Sequence, residues 1–421
     1  MKPTLPAFKP RPADQETPLT KLRVLDFSHF IAGPYATMIL ADFGAEVIKI
    51  ESAGEGDGFR NYPPMIEGES VPYLWVNRNK QSVALDLKTP AGREIALALV
   101  DQADIVVENF STGVMARLGL DYATVSKRKP DLIYCSISAY GRSGPYAGRS
   151  GFDPIVQAES GFISMNGDPQ QPGFRAGPSV MDISTAMMSA NAILAALAAR
   201  HRTGKGQLIE TTMIETAVNM LGNFSLSYLA TGVGPTRFGN TQTTACPVGA
   251  FETKDGAIYL ACANDRTFQR LARDVLQDSH LADDPDYADS QKRRDNQKAL
   301  MALVADKLRQ GERAIWLERM HAAGVPAGAI RTVEEAMNAP ALQELGLLSE
   351  IPHPTLGSIP NVGLSVHFSG TPLADPVAAP LLGAQTAEVL KRLLNFSPEQ
   401  LRQAAESGAL GQSAVGKPAA S

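Results

Sequence analysis

The chain has 421 residues, 44% hydrophobic and 20% charged, which is enough for two or three domains with a buried core. A net charge of −5 excludes the broad basic face that nucleic acid needs, though not a local basic pocket for one phosphorylated ligand. Three distant cysteines (Cys135, Cys246, Cys262) and scattered histidines without HxH or HExxH spacing point away from disulfides and a metal centre, and toward a reducing cytoplasm.

The first 19 residues are Pro-rich and mixed in charge, lack the apolar core of a signal peptide, and are expected to form a disordered arm. Residues 22–27 (LRVLDF) read as a strand, 35–43 as a helix and 46–50 (EVIKI) as a second strand, which makes a βαβ unit. The pattern continues with strands at 82–87, 105–108 and 132–137 and a helix over 91–102 after Pro90, so a mostly parallel sheet with helices on both faces is expected. The turn after the first strand is SHFIAGP, not GxGxxG, and this disfavours a nicotinamide-dinucleotide site.

An Ala-rich helix over 182–200 is apolar nearly all round and is expected to be buried; its stretch 186–199 is too short to span a bilayer, so no membrane partner is expected. It stops at RTGKG. A strand over 207–212 and a helix over 214–221 follow, and near residue 232 a Gly/Thr-rich stretch reads as a linker. Beyond it, 249–253 and 257–263 flank Lys254-Asp255-Gly256 as a hairpin, helices run to about 323, a strand is expected over 325–330, a Pro-rich linker follows, and a last helix covers 384–394. The tail from 407 reads as disordered.

Five blocks in order carry a resemblance: VLDFSHFIAGPYATMILADFGAEVIKIE, NRNKQSVALDLKTPAGREIALALVDQADIVVENFSTGVMARLGL, IYCSISAYGRSGPYAGRSGFDPIVQAESG, PSVMDISTAMMSANAILAALAARHRTGKGQ and APLLGAQTAEVLKRLL. Over residues 20–400 the chain resembles the class III CoA-transferase family, which includes formyl-CoA, carnitine and succinate–hydroxymethylglutarate CoA-transferases. The resemblance implies an α/β fold with a large Rossmann-like parallel-sheet domain and a smaller α+β domain. It divides the chain into an arm (1–19), the N-terminal part of the large domain (20–231), a linker and small domain (232–335), a second linker (336–362), a return to the large domain (363–406) and a tail (407–421). It also implies an interlocked homodimer.

The family's nucleophile is an aspartate just before a long Ala-rich helix, which is Asp182 here. A carboxylate with a reference pKa of about 3.9 is ionised at pH 7 and needs no general base, and the first turn of a helix favours its charge. An ordinary helix cap is the competing reading. The implied reaction is double displacement through an aspartyl anhydride and an aspartyl-CoA thioester, with coenzyme A as substrate and no tightly bound cofactor. The donor is expected to be succinyl-CoA or a similar acyl-CoA, and the acceptor a small mono- or dicarboxylic acid.

By resemblance, coenzyme A contacts fall on Phe30, Ile31 and Ala32, on Leu85 and Lys88, on Asn109, Phe110 and Ser111, on Arg117, and on Ser150 to Asp153. Lys88 and Arg117 carry charge suited to phosphates, against the alternative of solvated helix faces. Ser52 stands where some relatives place an adenine-side basic residue, with Lys49 or Arg78 as substitutes. Asp153 resembles the acid beside the nucleophile, or is an Asp-Pro turn. His29 and Tyr140 end strands, where open α/β sheets bind ligands, or pack; Asp26 reads as a strand-end residue and Cys135 as core. Arg175 matches an arginine of relatives acting on dicarboxylates, where a guanidinium can clamp a distal carboxylate. Phe152 replaces the histidine of the family's racemase branch, removing its proton shuttle. The rival readings are an acyl-CoA racemase and a non-catalytic CoA-binding protein.

Overall fold

Six apolar runs form one parallel sheet: β1 (Arg23–Asp26), β2 (Glu46–Ser52), β3 (Lys80–Leu85), β4 (Ile105–Glu108), β5 (Ile133–Ser138) and β6 (Gln207–Thr212). In the computed structural model, which describes residues 4–12 and 14–411, they lie in the order β3-β2-β1-β4-β5-β6. This is a doubly wound sheet whose order reverses between β1 and β4.

Side chains alternate between the two faces, as the period of a strand requires. Leu25, Ile48, Val83 and Val106 join Ile95 and Leu99 of α2 (Pro90–Asp101) on one face. Val24, Val47, Ile105, Val107, Ile133 and Cys135 meet the other layer, made by α1 (Ala32–Asp42) and a long helix, Val180–Thr203. A sheet covered on both sides needs near-continuous apolar strands, and these have them.

Between β5 and that long helix lies α3 (Asp153–Glu159). The long helix, α4 (Val180–Thr203), is three residues longer at its end than the sequence indicates, and by length and apolarity alone could cross a membrane. It packs instead on α1 and on β5 and β6. The expectation of all-round burial does not hold. Met181, Thr185, Ala186, Ser189, Ala190, Ile193 and Ala196 are buried, whereas Met187 and Met188 are each 47% exposed. Only residues three or four apart share the face that meets α1 and the sheet. The helix ends where Gly204 takes a left-handed conformation and donates to the Arg200 carbonyl. After β6 the chain enters α5 (Met213–Met220).

This unit holds residues up to Gly161, Ala176–Leu226 and the chain from Gln343 onward. Near its end, α6 (Thr386–Leu394) adds Val389 and Leu390 to the face beneath β3, while Ser82 and Ala84 donate backbone N–H groups to Gln385 and Thr386. A further helix that the sequence reading omits, α7 (Pro398–Glu406), starts from a capping box of Ser397 and Gln400. Two expected disordered regions are corrected in their described parts. Phe8 donates to the Glu350 carbonyl, Glu350 donates to the Pro6 carbonyl, and Leu19 is bonded to Phe43. In the tail, Leu410 bridges to Leu85 and is buried; residues 412–421 lie outside the described residues.

The expected linker over 336–362 contains an antiparallel pair, Leu348–His353 with Gly357–Val362, in which Ile351 and Ile359 face each other in the core. Pro352 and Pro360 sit at exposed positions of a two-stranded ladder, where a missing N–H is tolerated.

The second unit, Phe162–Arg175 with Ser227–Leu342, includes a segment that the sequence division left in the large domain. It is built on three antiparallel strands, Val248–Glu252, Ala257–Ala261 and Ala327–Ala329, with Phe251, Ile258, Leu260, Phe268, Leu300, Val304 and Trp316 in its core.

Candidate active site

A parallel sheet presents its strand ends, and the loops after them, to ligands where the strand order reverses. Here the loops after β1, β4 and β5 enclose a cavity of about 320 Å³. It is lined by His29, Phe30, Ile31 and Ala32 after β1, by Asn109, Phe110, Ser111 and Thr112 after β4, and by residues 137–142 and 147–152 at and after the end of β5. Asp182 of α4 and Met213 of α5 complete it.

Asp182 is the third residue of α4, and the cap position belongs to Ser179, whose side chain makes no capping bond. The plain-cap reading of Asp182 therefore fails. Capping comes from Asp153 on α3, whose Oδ2 accepts from the backbone N–H groups of Met181 (2.7 Å) and Asp182 (3.3 Å). Gln157, one turn further along α3, donates to the other Asp153 oxygen and accepts from the Ala176 N–H. Asp153 is buried and does not itself line the cavity.

This arrangement leaves the Asp182 carboxyl half-buried, with no hydrogen bond of its own among the described residues and a second carboxylate beside it. Burial, and after it the Asp153 charge, push Asp182 up to about 7. Asp182 therefore holds its proton to a higher pH than the ordinary aspartate that the sequence reading assumes.

Asn109 binds back to the first loop. Its Oδ1 accepts from the His29 N–H (2.8 Å) and its Nδ2 donates to the His29 carbonyl (2.8 Å), so its amide braces the loop as well as lining the cavity. The imidazole of His29 meets Phe110 edge to face. Tyr140 is 8% exposed, with its ring under the Arg149 guanidinium, which pairs with Glu159. Phe152, 66% exposed, stands at the mouth as the residue preceding α3.

Other candidates lie elsewhere. Leu85 is buried in the core and Lys88 is exposed beside Asp86; neither lines the cavity. Arg117 is exposed on the short helix Val114–Leu118 and is also outside the lining. Arg175 belongs to the second unit and does not line it. Lys49 and Arg78 cannot replace a basic residue at Ser52, because both are buried and paired, Lys49 with Asp57 at 2.9 Å and Arg78 with Asp42 at 2.6 Å.

Two cavity arginines went unremarked in the sequence. Arg142 is spent internally: Nε donates to Ser136, and Nη2 to Glu108 and to the Ile137 carbonyl, which ties the ends of β4 and β5 together. Arg149 is the other, described above. Both sit in the AYGRSGPYAGRSGFD block, but nothing in that Gly-rich spacing indicates which arginine faces a cavity.

The model of CoA-transferase family III matches residues 19–386. The chain is 34% identical over 400 residues to the succinyl-CoA:glutarate CoA-transferase of Mus musculus, covering 95% of this chain and 92% of that one. It is 37% identical to the succinate–glutarate CoA-transferase of Agrobacterium fabrum, covering 90% of this chain and 96% of that one. Among solved structures it resembles a CaiB/BaiF family protein from Brucella suis, with a TM-score of 0.82, 35% identity, and 90% and 100% of the two chains covered.

Proposed function

Because this chain belongs to CoA-transferase family III and is an enzyme of CoA transfer, we propose that it moves CoA from succinyl-CoA, or a similar acyl-CoA, to a small dicarboxylic acid through covalent intermediates on Asp182. The observation carrying this reading is the Asp182 carboxyl in the cavity at the strand-order reversal, without a hydrogen bond among the described residues and beside Asp153.

The ionised Asp182 oxygen attacks the thioester carbonyl; the C–S bond breaks, giving an aspartyl–acyl anhydride and CoA thiolate. The thiolate attacks the aspartyl carbonyl, forming an aspartyl-CoA thioester and releasing the donor acid. The acceptor carboxylate then attacks that thioester, and the two steps run in reverse. A carboxylate shifted up to about 7 is more basic than an ordinary aspartate and hence a stronger nucleophile once deprotonated. Acylation also removes its charge, which relieves the repulsion from Asp153. Holding the remote parts of CoA in the loops after β1 and β4 keeps the thioester in attacking geometry. The relatives' names specify succinate and glutarate, which supports a dicarboxylate acceptor.

Incubating the enzyme with succinyl-CoA, without acceptor, and adding borohydride or hydroxylamine is expected to modify Asp182 alone, as read by peptide mass spectrometry. Modification elsewhere, or none alongside measurable CoA exchange, refutes the mechanism.

We also propose a homodimer. Met187, Met188, Leu208, Val218 and Met220 are large apolar residues, each between 39% and 47% exposed, on the consecutive elements α4, edge strand β6 and α5. Light scattering is expected to give twice the mass of the chain; a single-chain mass at micromolar concentration refutes the assembly.

A further inference from the structure

Phe30 lines the cavity with a φ of 61°, a left-handed conformation that a bulky side chain adopts only when its surroundings impose it. The imposing group is Asp57. Its Oδ1 accepts from the Phe30 N–H (3.2 Å) and from the Phe59 N–H (3.0 Å), and lies 3.7 Å from His29 Nδ1. Its other oxygen faces the Lys49 ammonium at 2.9 Å, and Lys49 also donates to the Ser28 carbonyl at 2.7 Å. Both side chains are completely buried. Gly58 leaves room for the Phe30 ring, because a Cβ there would come within 3.2 Å of it, and Phe59 meets that ring edge to face.

The loop is thus clamped from two sides, by Asn109 on the His29 backbone and by Asp57 on the Phe30 backbone. Lys49, in β2, anchors the clamp to the sheet and to Ser28, the second residue after β1. Burial alone would raise the Asp57 carboxyl, but the Lys49 charge and the His29 contact hold it well below the usual carboxylate range, so the acceptor oxygens stay ionised.

We propose that Asp57, held by Lys49, is a positioning residue that sets the His29–Phe30 turn in the shape that receives coenzyme A. It acts on the turn through the Phe30 amide, while its bond from the Phe59 amide caps the short helix Gly58–Asn61 and fixes the carboxylate in place. This rests on the reading of the cavity as the CoA site.

The test measures CoA dissociation constants by calorimetry, together with single-turnover formation of the Asp182 thioester at saturating succinyl-CoA. Lys49→Met accompanies each Asp57 substitution, so that no buried ammonium is left unpaired. With Asp57→Ala the dissociation constant is expected to rise at least about tenfold, while the saturated single-turnover rate falls less than about threefold. With Asp57→Asn, which keeps an acceptor oxygen for the amides, most of the affinity is expected to return. Equal affinities in both double variants and the unaltered enzyme overturn the proposal. A fall in affinity that asparagine does not rescue also overturns it. If the alanine variant does not fold, residue-level hydrogen exchange on the unaltered protein decides. The Phe30 amide is expected to exchange as slowly as the β2 amides, and exchange at the rate of an open loop overturns the proposal. If the unaltered protein binds no CoA, the functional reading fails first, and visibly so.

Discussion

Asp182→Asn is expected to lower kcat by at least about 10³-fold, with a much smaller change in the KM for succinyl-CoA. The asparagine has nearly the same shape but no oxygen that can form an anhydride, so loss of rate without loss of binding separates nucleophile from scaffold. In the unaltered enzyme, kcat/KM is expected to rise with pH through an apparent pKa of about 7, because only the ionised carboxylate attacks. Asp153→Asn removes the neighbouring charge and is expected to move that midpoint downward. The same substitution at Asp182 should stabilise the fold. In the unfolded chain this group titrates near the ordinary aspartate value of 3.8, so between about pH 4 and 7 the folded protein keeps a proton that the unfolded chain has lost. Stability contributed by Asp182 therefore falls as pH rises through that window, by at most about 4 kcal/mol, and an asparagine escapes the loss. Denaturation midpoints that coincide at pH 4 and diverge at pH 8 in favour of Asp182→Asn are the expected pattern. Full turnover in the variant would sink the assignment, whatever its stability.

The parts of this site legible in the sequence are those written in local patterns. Short apolar runs located all six strands of the sheet, and the Ala-rich run after PSVMD located α4 with its stop at Gly204. The family blocks led to nine residues that line the cavity beside Asp182, namely Phe30, Ile31, Ala32, Asn109, Phe110, Ser111, Ser150, Gly151 and Phe152, and the strand ends led to two more, His29 and Tyr140. What stayed hidden depends on which side chains meet across long separations. Lys49 in EVIKIE reads as a substitute for the adenine-side basic residue absent at Ser52, yet it is buried against Asp57, because in a sheet covered on both faces neither side of a central strand meets water. Asp26, read as a mere strand end, is another buried charge in the same layer. The capping of α4 by Asp153 joins residues 28 apart in sequence, and no motif states it. The helix α7 was missed although its capping box, SPEQ, stands in the sequence; its brevity and the polar tail after it masked the signal.

Lys80→Met is expected to cost roughly 3–5 kcal/mol of stability. The Lys80 ammonium donates to Asp26 (3.0 Å), to the Pro34 carbonyl (2.8 Å) and to Asn77 (2.9 Å), and Lys80 and Asp26 are both fully buried. Methionine fills the volume but abandons an anion in the core. Thr37 and Ser28 still donate to that anion, and hydroxyls cannot replace a charge. Asp26→Asn combined with Lys80→Met removes both charges and is expected to recover most of the loss, since a neutral buried pair carries no such desolvation cost. The acid limb distinguishes this from simple packing. Burial would raise Asp26, but the Lys80 and Lys49 charges bring it down to about 2. Its folded value therefore lies below its unfolded value, and its contribution of about 2–3 kcal/mol is present above pH 4 and lost as pH falls toward 2. Urea titrations at pH 7 and pH 3 should show the gap between unaltered enzyme and the double variant narrowing in acid. If Lys80→Met alone costs less than about 1 kcal/mol at pH 7, the ion pair is not what ties β3 to β1 across β2.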